Sequence, residues 1–307
     1  MTNNKPTTQR RRLFRRLEGE LPPLRLTARD IRILDLLYEY RFLTMPQLHA
    51  VMRGSKRYLT ERLSRLYHHA YVDRPLQQMA LRIFGYRYMI YALAHKGAQI
   101  LSQYYENEKY LRPRWTENNQ AVQAPQFLHT LMISQFRVCL TLACQERSNV
   151  DLSIWRTPEV SLTQYDMEGR KVWVKPDAYF VLTCRSEGGE HEAHFFLECD
   201  RGTMSYPDLR RKLAAYWRMR TERRLVAEWV PHAYRVLTVS PSYERTQRLV
   251  EVAKQADTRR RGSILFYFCC EKVYDLDQPE RILDPIWQTP ADGVLRYLLE
   301  RKGDGNV

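Results

Sequence analysis

Between residues 27 and 105 the apolar residues keep a helical period three times over and then switch to strand spacing. That switch restricts the fold more than any other feature of the chain. In RLTARDIRILDLLYEYRFLT, Ile31, Leu34, Leu37 and Tyr38 form one apolar stripe. Thr27 stands at the N-cap position, with Asp30 where a capping box needs an acceptor. Thr44 opens a second helix with Pro46 in its first turn and Leu48, Val51 and Met52 inward. Arg53-Gly54-Ser55 makes a turn, and KRYLTERLSRLYHHA is a third helix with Leu59, Leu63 and Leu66 as its buried stripe. YVDRP and GYRYMIYAL then read as strands, with LQQMALRIF between them as a wing, and HKGAQILSQYYENE as a closing helix. Three helices followed by paired strands is the layout of a winged helix-turn-helix, in which the third helix enters the major groove of duplex DNA. A helical bundle, or a winged helix that binds protein, shares the pattern.

Charge falls on the same segment. Residues 1–105 hold 19 Lys and Arg against 7 Asp and Glu, whereas residues 106–307 hold 30 against 28. The net charge of +14 therefore belongs mainly to the N-terminal third. Residues 1–24 read as a flexible basic arm, in which Arg10, Arg11, Arg12, Arg15 and Arg16 are placed to meet phosphates or a minor groove. Arg53, Lys56, Arg57 and Arg82 put positive charge at the turn, the third helix and the wing. Thr60 and Ser64 add polar side chains away from the leucine stripe. Such contacts require no cofactor.

Composition closes off other classes. Apolar residues make up 44% of the 307, and there are only 12 glycines and 15 prolines, so a packed core is available and a low-complexity chain is excluded. No apolar run reaches the roughly 20 residues of a membrane span, and the N-terminus lacks an apolar signal core. The expectation is a protein that is neither exported nor membrane-bound. The six cysteines show no zinc-site spacing, and Cys199, Cys269 and Cys270 sit in strand-like runs as reduced core thiols. A reducing cytoplasm is the expected compartment.

Residues 25–105 are thus expected to form one domain, 106–126 a polar linker and 127–307 a second domain. The second reads as an apolar helix (QFLHTLMISQFRVCLTLACQE), three strands, a helix, a strand, a helix and a strand, a mixed α/β order. Alternation along the strand KVWVKPDAYFVL puts Trp173, Lys175, Asp177 and Tyr179 on one face. In AHFFLECD, Glu198 and Asp200 share a face. Pairing through the hairpin SEGGEHE would bring Asp177, Glu198 and Asp200 together. Clustered carboxylates need compensation, either from a hard divalent ion such as Mg²⁺ or Mn²⁺ or from Arg201, Arg210 or Arg211.

In order and spacing these pieces resemble the replication-relaxation family of bacterial plasmid and mobile-element proteins. The resemblance runs over about residues 26–290 through LTARDIRILDLLYEYRFLTMPQL, RYLTERLSRLYHHAYVDR, YALAHKGAQIL, FLHTLMISQFRVCL, KPDAYFVL, FFLECDRGT, RRKLAAY, YRVLTVS and ILDPIWQTP. It implies a winged-helix N-terminal domain and a role in plasmid replication, DNA relaxation or mobilisation. Replication or mobilisation proteins and a second copy of the chain are then the protein partners to consider. The C-terminal half also resembles the restriction-endonuclease-type fold, whose motif is Pro-Asp followed by (Asp/Glu)-x-Lys. Pro176-Asp177 and Glu198 match, which would make Asp177 and Glu198 the metal ligands, but Asp200 stands where the lysine belongs. Lys175 and Lys212 are the lysines placed to substitute for it.

The leading reading is a two-domain protein that holds duplex DNA through a winged helix, with a nuclease-like second domain. Two alternatives stay open. One is a metal-dependent endonuclease or nickase acting through Asp177, Glu198, Asp200 and Lys175 or Lys212. The other is a transcriptional regulator whose second domain dimerises or binds a partner.

Overall fold

The computed structural model describes residues 13–81, 87–157, 162–165, 171–221, 230–256 and 263–299. The chain divides into two compact units, 1–135 and 136–307.

In the first unit, α1 (Ala28–Tyr40), α2 (Met45–Met52) and α3 (Lys56–His68) follow the apolar periods closely. Each start is capped. Thr27 with Asp30 and Thr44 with Gln47 complete capping boxes, and the Ser55 hydroxyl accepts from the Tyr58 N–H at 3.3 Å. Leu34, Leu37, Leu48, Leu59, Leu63 and Leu66 are fully buried. A three-stranded antiparallel sheet joins β1 (Phe42–Thr44), β3 (Ile90–Leu93) and β2 (Val72–Asp73) in that spatial order, with Phe42 opposite Ala92 and Val72 opposite Leu93. The sequence reading missed β1, whose three residues are too few to show a period. Within the expected wing, Gln78–Leu81 is a short helix, α4, held where the Gln78 amide exchanges hydrogen bonds with the Ile90 backbone. Arg82 lies outside the described residues. α5 (His95–Tyr104) packs so tightly on the sheet that a Cβ at Gly97 would lie 2.2 Å from the Tyr71 carbonyl oxygen.

The stretch expected to be a linker, residues 106–126, belongs to this unit. It contains a 3₁₀ turn at Glu108–Leu111 and α6 (Trp115–Ala121). The Trp115 indole donates to the Tyr110 carbonyl at 2.7 Å, and the buried Asn119 amide donates to Asp73 at 2.9 Å and to the Leu93 carbonyl at 2.8 Å. Its polar composition conceals a few anchoring side chains. The boundary between units falls inside α7 (Ala124–Glu146). α7 has the length and hydropathy of a membrane span, but Phe127 and Leu131 are buried in the first unit and Phe136, Cys139, Leu140 and Ala143 in the second.

The second unit is built on a five-stranded sheet. Its strands are β4 (Val150–Arg156), β7 (Ala178–Ser186), β8 (Gly189–Cys199), β9 (Arg235–Ser240) and β10 (Phe266–Cys270), adjacent in that order. β4, β7 and β8 form an antiparallel meander, and β9 and β10 run parallel to β8. The parallel connections pass through α8 (Tyr206–Thr221) and α9 (Tyr243–Ala256). Phe196, Val236 and Phe266 face these helices beside Tyr216, Leu213 and Leu249. Phe180 and Phe195 stack against each other, and Phe136 of α7 packs on Phe180 and Trp287. KVWVKPDAYFVL is not one strand. β6 (Lys171–Val174) pairs with β5 (Leu162–Tyr165) in a separate ribbon, and Lys175-Pro176-Asp177 forms the break. Proline cannot donate to a ladder, so it ends the pairing there. All six cysteines are buried and none forms a disulfide.

Candidate functional site

Two surfaces carry the residues of interest, one in each unit. In the first, the turn between α2 and α3 is held from below. Arg53 and Gly54 take left-handed φ values of 53° and 87°, and Arg29 on α1 donates to the carbonyls of Met52, at 3.2 Å, and Arg53. α3 itself is fixed by a buried ion pair. Arg62 donates through Nε to Asp30 Oδ1 at 2.6 Å, through Nη2 to Asp30 Oδ2 at 2.5 Å, and to the Arg25 carbonyl at 2.7 Å. Burial alone would raise the Asp30 pKa, but the bonds from Arg62 and Thr27 hold it below the ordinary carboxylate value.

This support leaves one side of α3 open. Arg53, Lys56, Arg57 and Thr60 are exposed and Ser64 is half-exposed. Arg57 donates to Glu61 at 3.0 Å, a pair that lies almost wholly in solvent. The same side carries Tyr58, 49% exposed, and the exposed Arg65, neither of which was singled out from sequence. Arg65 stands eight residues after Arg57, close to two helical turns, and that spacing was the available signal.

The basic arm divides. Arg10, Arg11 and Arg12 lie outside the described residues. Arg15 is exposed and pairs with Glu18. Arg16, expected to be free for phosphates, is docked instead. It donates to the carbonyls of Tyr67, at 2.9 Å, and Val72, at 3.2 Å, and to Asp73 Oδ1 at 2.6 Å, with its guanidinium 5.1 Å from the Tyr67 ring centre. The buried Asp73 carboxylate needs a cation, and Arg16 supplies it.

In the second unit, Asp177, Glu198 and Asp200 lie where β7 begins and β8 ends. The Asp177 N–H donates to the Leu197 carbonyl at 2.9 Å, and Asp177 Oδ2 accepts from the Cys199 N–H at 2.7 Å. Glu198 accepts from the Tyr216 hydroxyl at 2.6 Å and from the Lys212 ammonium, both on α8. Burial pushes the Glu198 carboxyl up to about 7, Lys212 pulling it down and Asp177 adding to the rise. Burial also works against the Lys212 charge, yet Glu198, then Asp177 and Asp200, hold its pKa above the ordinary lysine value. Asp200 is closed by a residue the sequence did not suggest. Arg245 of α9 donates to its Oδ2 at 2.6 Å and its Oδ1 at 3.2 Å. No local pattern announces a partner 45 residues away.

Of the two lysines, Lys212 reaches Glu198 and Lys175 is exposed in the break before β7. Arg201, Arg210 and Arg211 do not close the cluster. Arg201 lies 4.0 Å from Glu271, and Arg211 pairs with Asp208. Among the described residues no three metal-ligating side chains gather at one point.

The model of one protein family, described as Replication-relaxation, matches residues 34–227. Comparison with curated proteins and with solved structures finds no match.

Proposed function

Because the chain belongs to the replication-relaxation family, we propose that it is a duplex-DNA-binding protein acting in the replication, relaxation or mobilisation of a plasmid or other mobile element. In this reading the first unit is a winged helix-turn-helix, with α3 in the major groove. One observation carries it. α3 is buried along Leu59, Arg62, Leu63 and Leu66, while Lys56, Arg57, Thr60 and Arg65 are left to solvent. A helix braced on one side and basic and polar on the other suits phosphates and base edges. A titration of duplex DNA with a Lys56/Arg57 double alanine variant tests it.

A second reading, metal-dependent DNA cleavage in the second unit, is favoured by the Lys212–Glu198 contact. The motif lysine, absent at Asp200, has a substitute on α8, and Arg245 neutralises the extra aspartate. Asp177 and Glu198 supply carboxylate oxygens of the kind a hard divalent ion takes, with no third ligating side chain beside them among the described residues. Asp177 and Glu198 would hold Mg²⁺ or Mn²⁺, which when bound supplies an activated water. Lys212 orients Glu198 and offsets negative charge beside it. Tyr216, fully buried, fixes the other carboxylate oxygen. Nicking of supercoiled plasmid in Mn²⁺ tests this reading.

A further inference from the structure

Beside the strand-end carboxylates, the second unit carries a cluster of cations around one tyrosine. Tyr206 opens α8, and its hydroxyl accepts from Arg248 Nη1 of α9 at 3.5 Å. The Arg245 guanidinium lies 4.6 Å from the centre of the Tyr206 ring. Arg245 is fixed in that position by Asp200 and by the Met204 carbonyl at 3.0 Å, so one side chain joins this cluster to the carboxylates. Arg210 stands one helical turn beyond Tyr206 and is exposed, as is Arg248.

Two of the acidic neighbours are engaged elsewhere, and the third, Glu244, interacts with Arg248 itself. Asp208 is bound by Ser205, at 2.5 Å, and by Arg211, and Glu251 by Lys254 at 2.7 Å. Glu244 feels both Lys272 and Arg248. Neither Arg210 nor Arg248 forms a salt bridge with a described residue. Arg248, then Arg245, hold the Tyr206 phenol below its ordinary pKa, the mark of a locally positive potential. An open cavity of about 310 Å³ lies here, lined by Tyr206, Gln247, Arg248, Glu251 and Val252.

We propose that Tyr206, Arg210 and Arg248 form a second phosphate-binding surface, which grips the backbone of the DNA that the first unit holds. The inference rests on the DNA-binding reading and extends it, making attachment bipartite. The chemistry is that of backbone recognition. Guanidinium forks fit phosphate oxygens, and a phenol hydroxyl donates to them without reading sequence. The contacts are therefore electrostatic and independent of base identity.

The test measures the affinity of the full chain for one duplex over a range of salt concentrations. The variants are Arg210→Ala/Arg248→Ala, Arg248→Glu, Tyr206→Phe and Lys56→Ala/Arg57→Ala. Each lost phosphate contact should reduce the slope of log K against log salt by about 0.9. The Arg210/Arg248 variant should bind more weakly at low salt with a slope lower by one to two such contacts. Arg248→Glu should bind more weakly still, and Tyr206→Phe slightly more weakly than wild type. Because both arginines are exposed, thermal melting should be unchanged, which excludes unfolding as the cause. If the Arg210/Arg248 and Arg248→Glu curves superimpose on wild type while the Lys56/Arg57 variant is weakened, the second surface is refuted and the first stands. If wild type binds no duplex at low salt, both readings fail.

Discussion

Arg62 and Asp30 form a two-bond ion pair in which both side chains are buried, and the pair ties the middle of α3 to the first turn of α1. Asp30 is at once the capping-box residue of α1 and the counter-ion of α3, so one carboxylate bonds to both helices. Breaking such a pair leaves a buried charge without compensation, at about 3–5 kcal/mol. Arg62→Ala should therefore lower the first unit's stability by about that amount in urea unfolding. The pH dependence has a definite sign. The folded-state pKa of Asp30 is depressed, so its contribution is present above the unfolded value near 3.9 and is lost as pH falls through the folded value. Asp30→Asn should flatten stability against pH in the acid range and leave the profile above pH 5 parallel to wild type.

Arg16 should behave as a structural residue. Arg16→Ala removes bonds to Asp73, Val72 and Tyr67, and should reduce stability by about 1–3 kcal/mol. Truncation after residue 12 removes Arg10, Arg11 and Arg12 but keeps this anchor. It should weaken salt-dependent DNA binding without moving the melting temperature. A truncation after residue 16 should do both, and differential scanning calorimetry separates the two.

Leu63 should report on the core alone. It is fully buried on α3, and Leu63→Ala should destabilise the first unit by about 2–5 kcal/mol. At temperatures where the variant remains folded, its DNA affinity should match wild type. An affinity loss exceeding the loss of folded protein would place Leu63 at the interface.

Cleavage, if the second unit performs it, should depend on three residues together. Supercoiled plasmid incubated with Mn²⁺ should be nicked by wild type and by neither Asp177→Ala nor Glu198→Ala, while Lys212→Ala should lose most of the activity. Lys175→Ala should leave nicking unchanged, since Lys175 is exposed and Lys212 is the lysine in contact with Glu198. Equal nicking by wild type and Asp177→Ala would assign the activity to a contaminant and end the cleavage reading.

The sequence made the three N-terminal helices legible because leucine spacing and capping residues agree at every start. In the second unit the sequence also marks α7, β4, β8, α8, β9, α9 and β10, but not β5. It did not reveal β1, too short for a period, or the break at Pro176, where alternation runs on through a residue that cannot pair. The polar composition of residues 106–126 suggests a linker, yet Asn119 bonds the sheet and Trp115 packs against Tyr38 of α1, and a fragment ending at residue 105 would lose both. At the candidate sites, Asp177 and Glu198 were legible because they stand at the paired ends of two strands joined by one hairpin. Arg245, Tyr216 and the docking of Arg16 were not, because those partners are brought together only by the fold.

The open side of α3 is the surface proposed to hold duplex DNA. The most direct test is an equilibrium titration of one duplex with the full chain and with the Lys56→Ala/Arg57→Ala variant at several salt concentrations. Both side chains are exposed, so melting should be unchanged. Affinity at low salt should fall, and the slope of log K against log salt should decrease by about 1.8 for two lost phosphate contacts. A variant that binds with wild-type affinity and slope would contradict the claim.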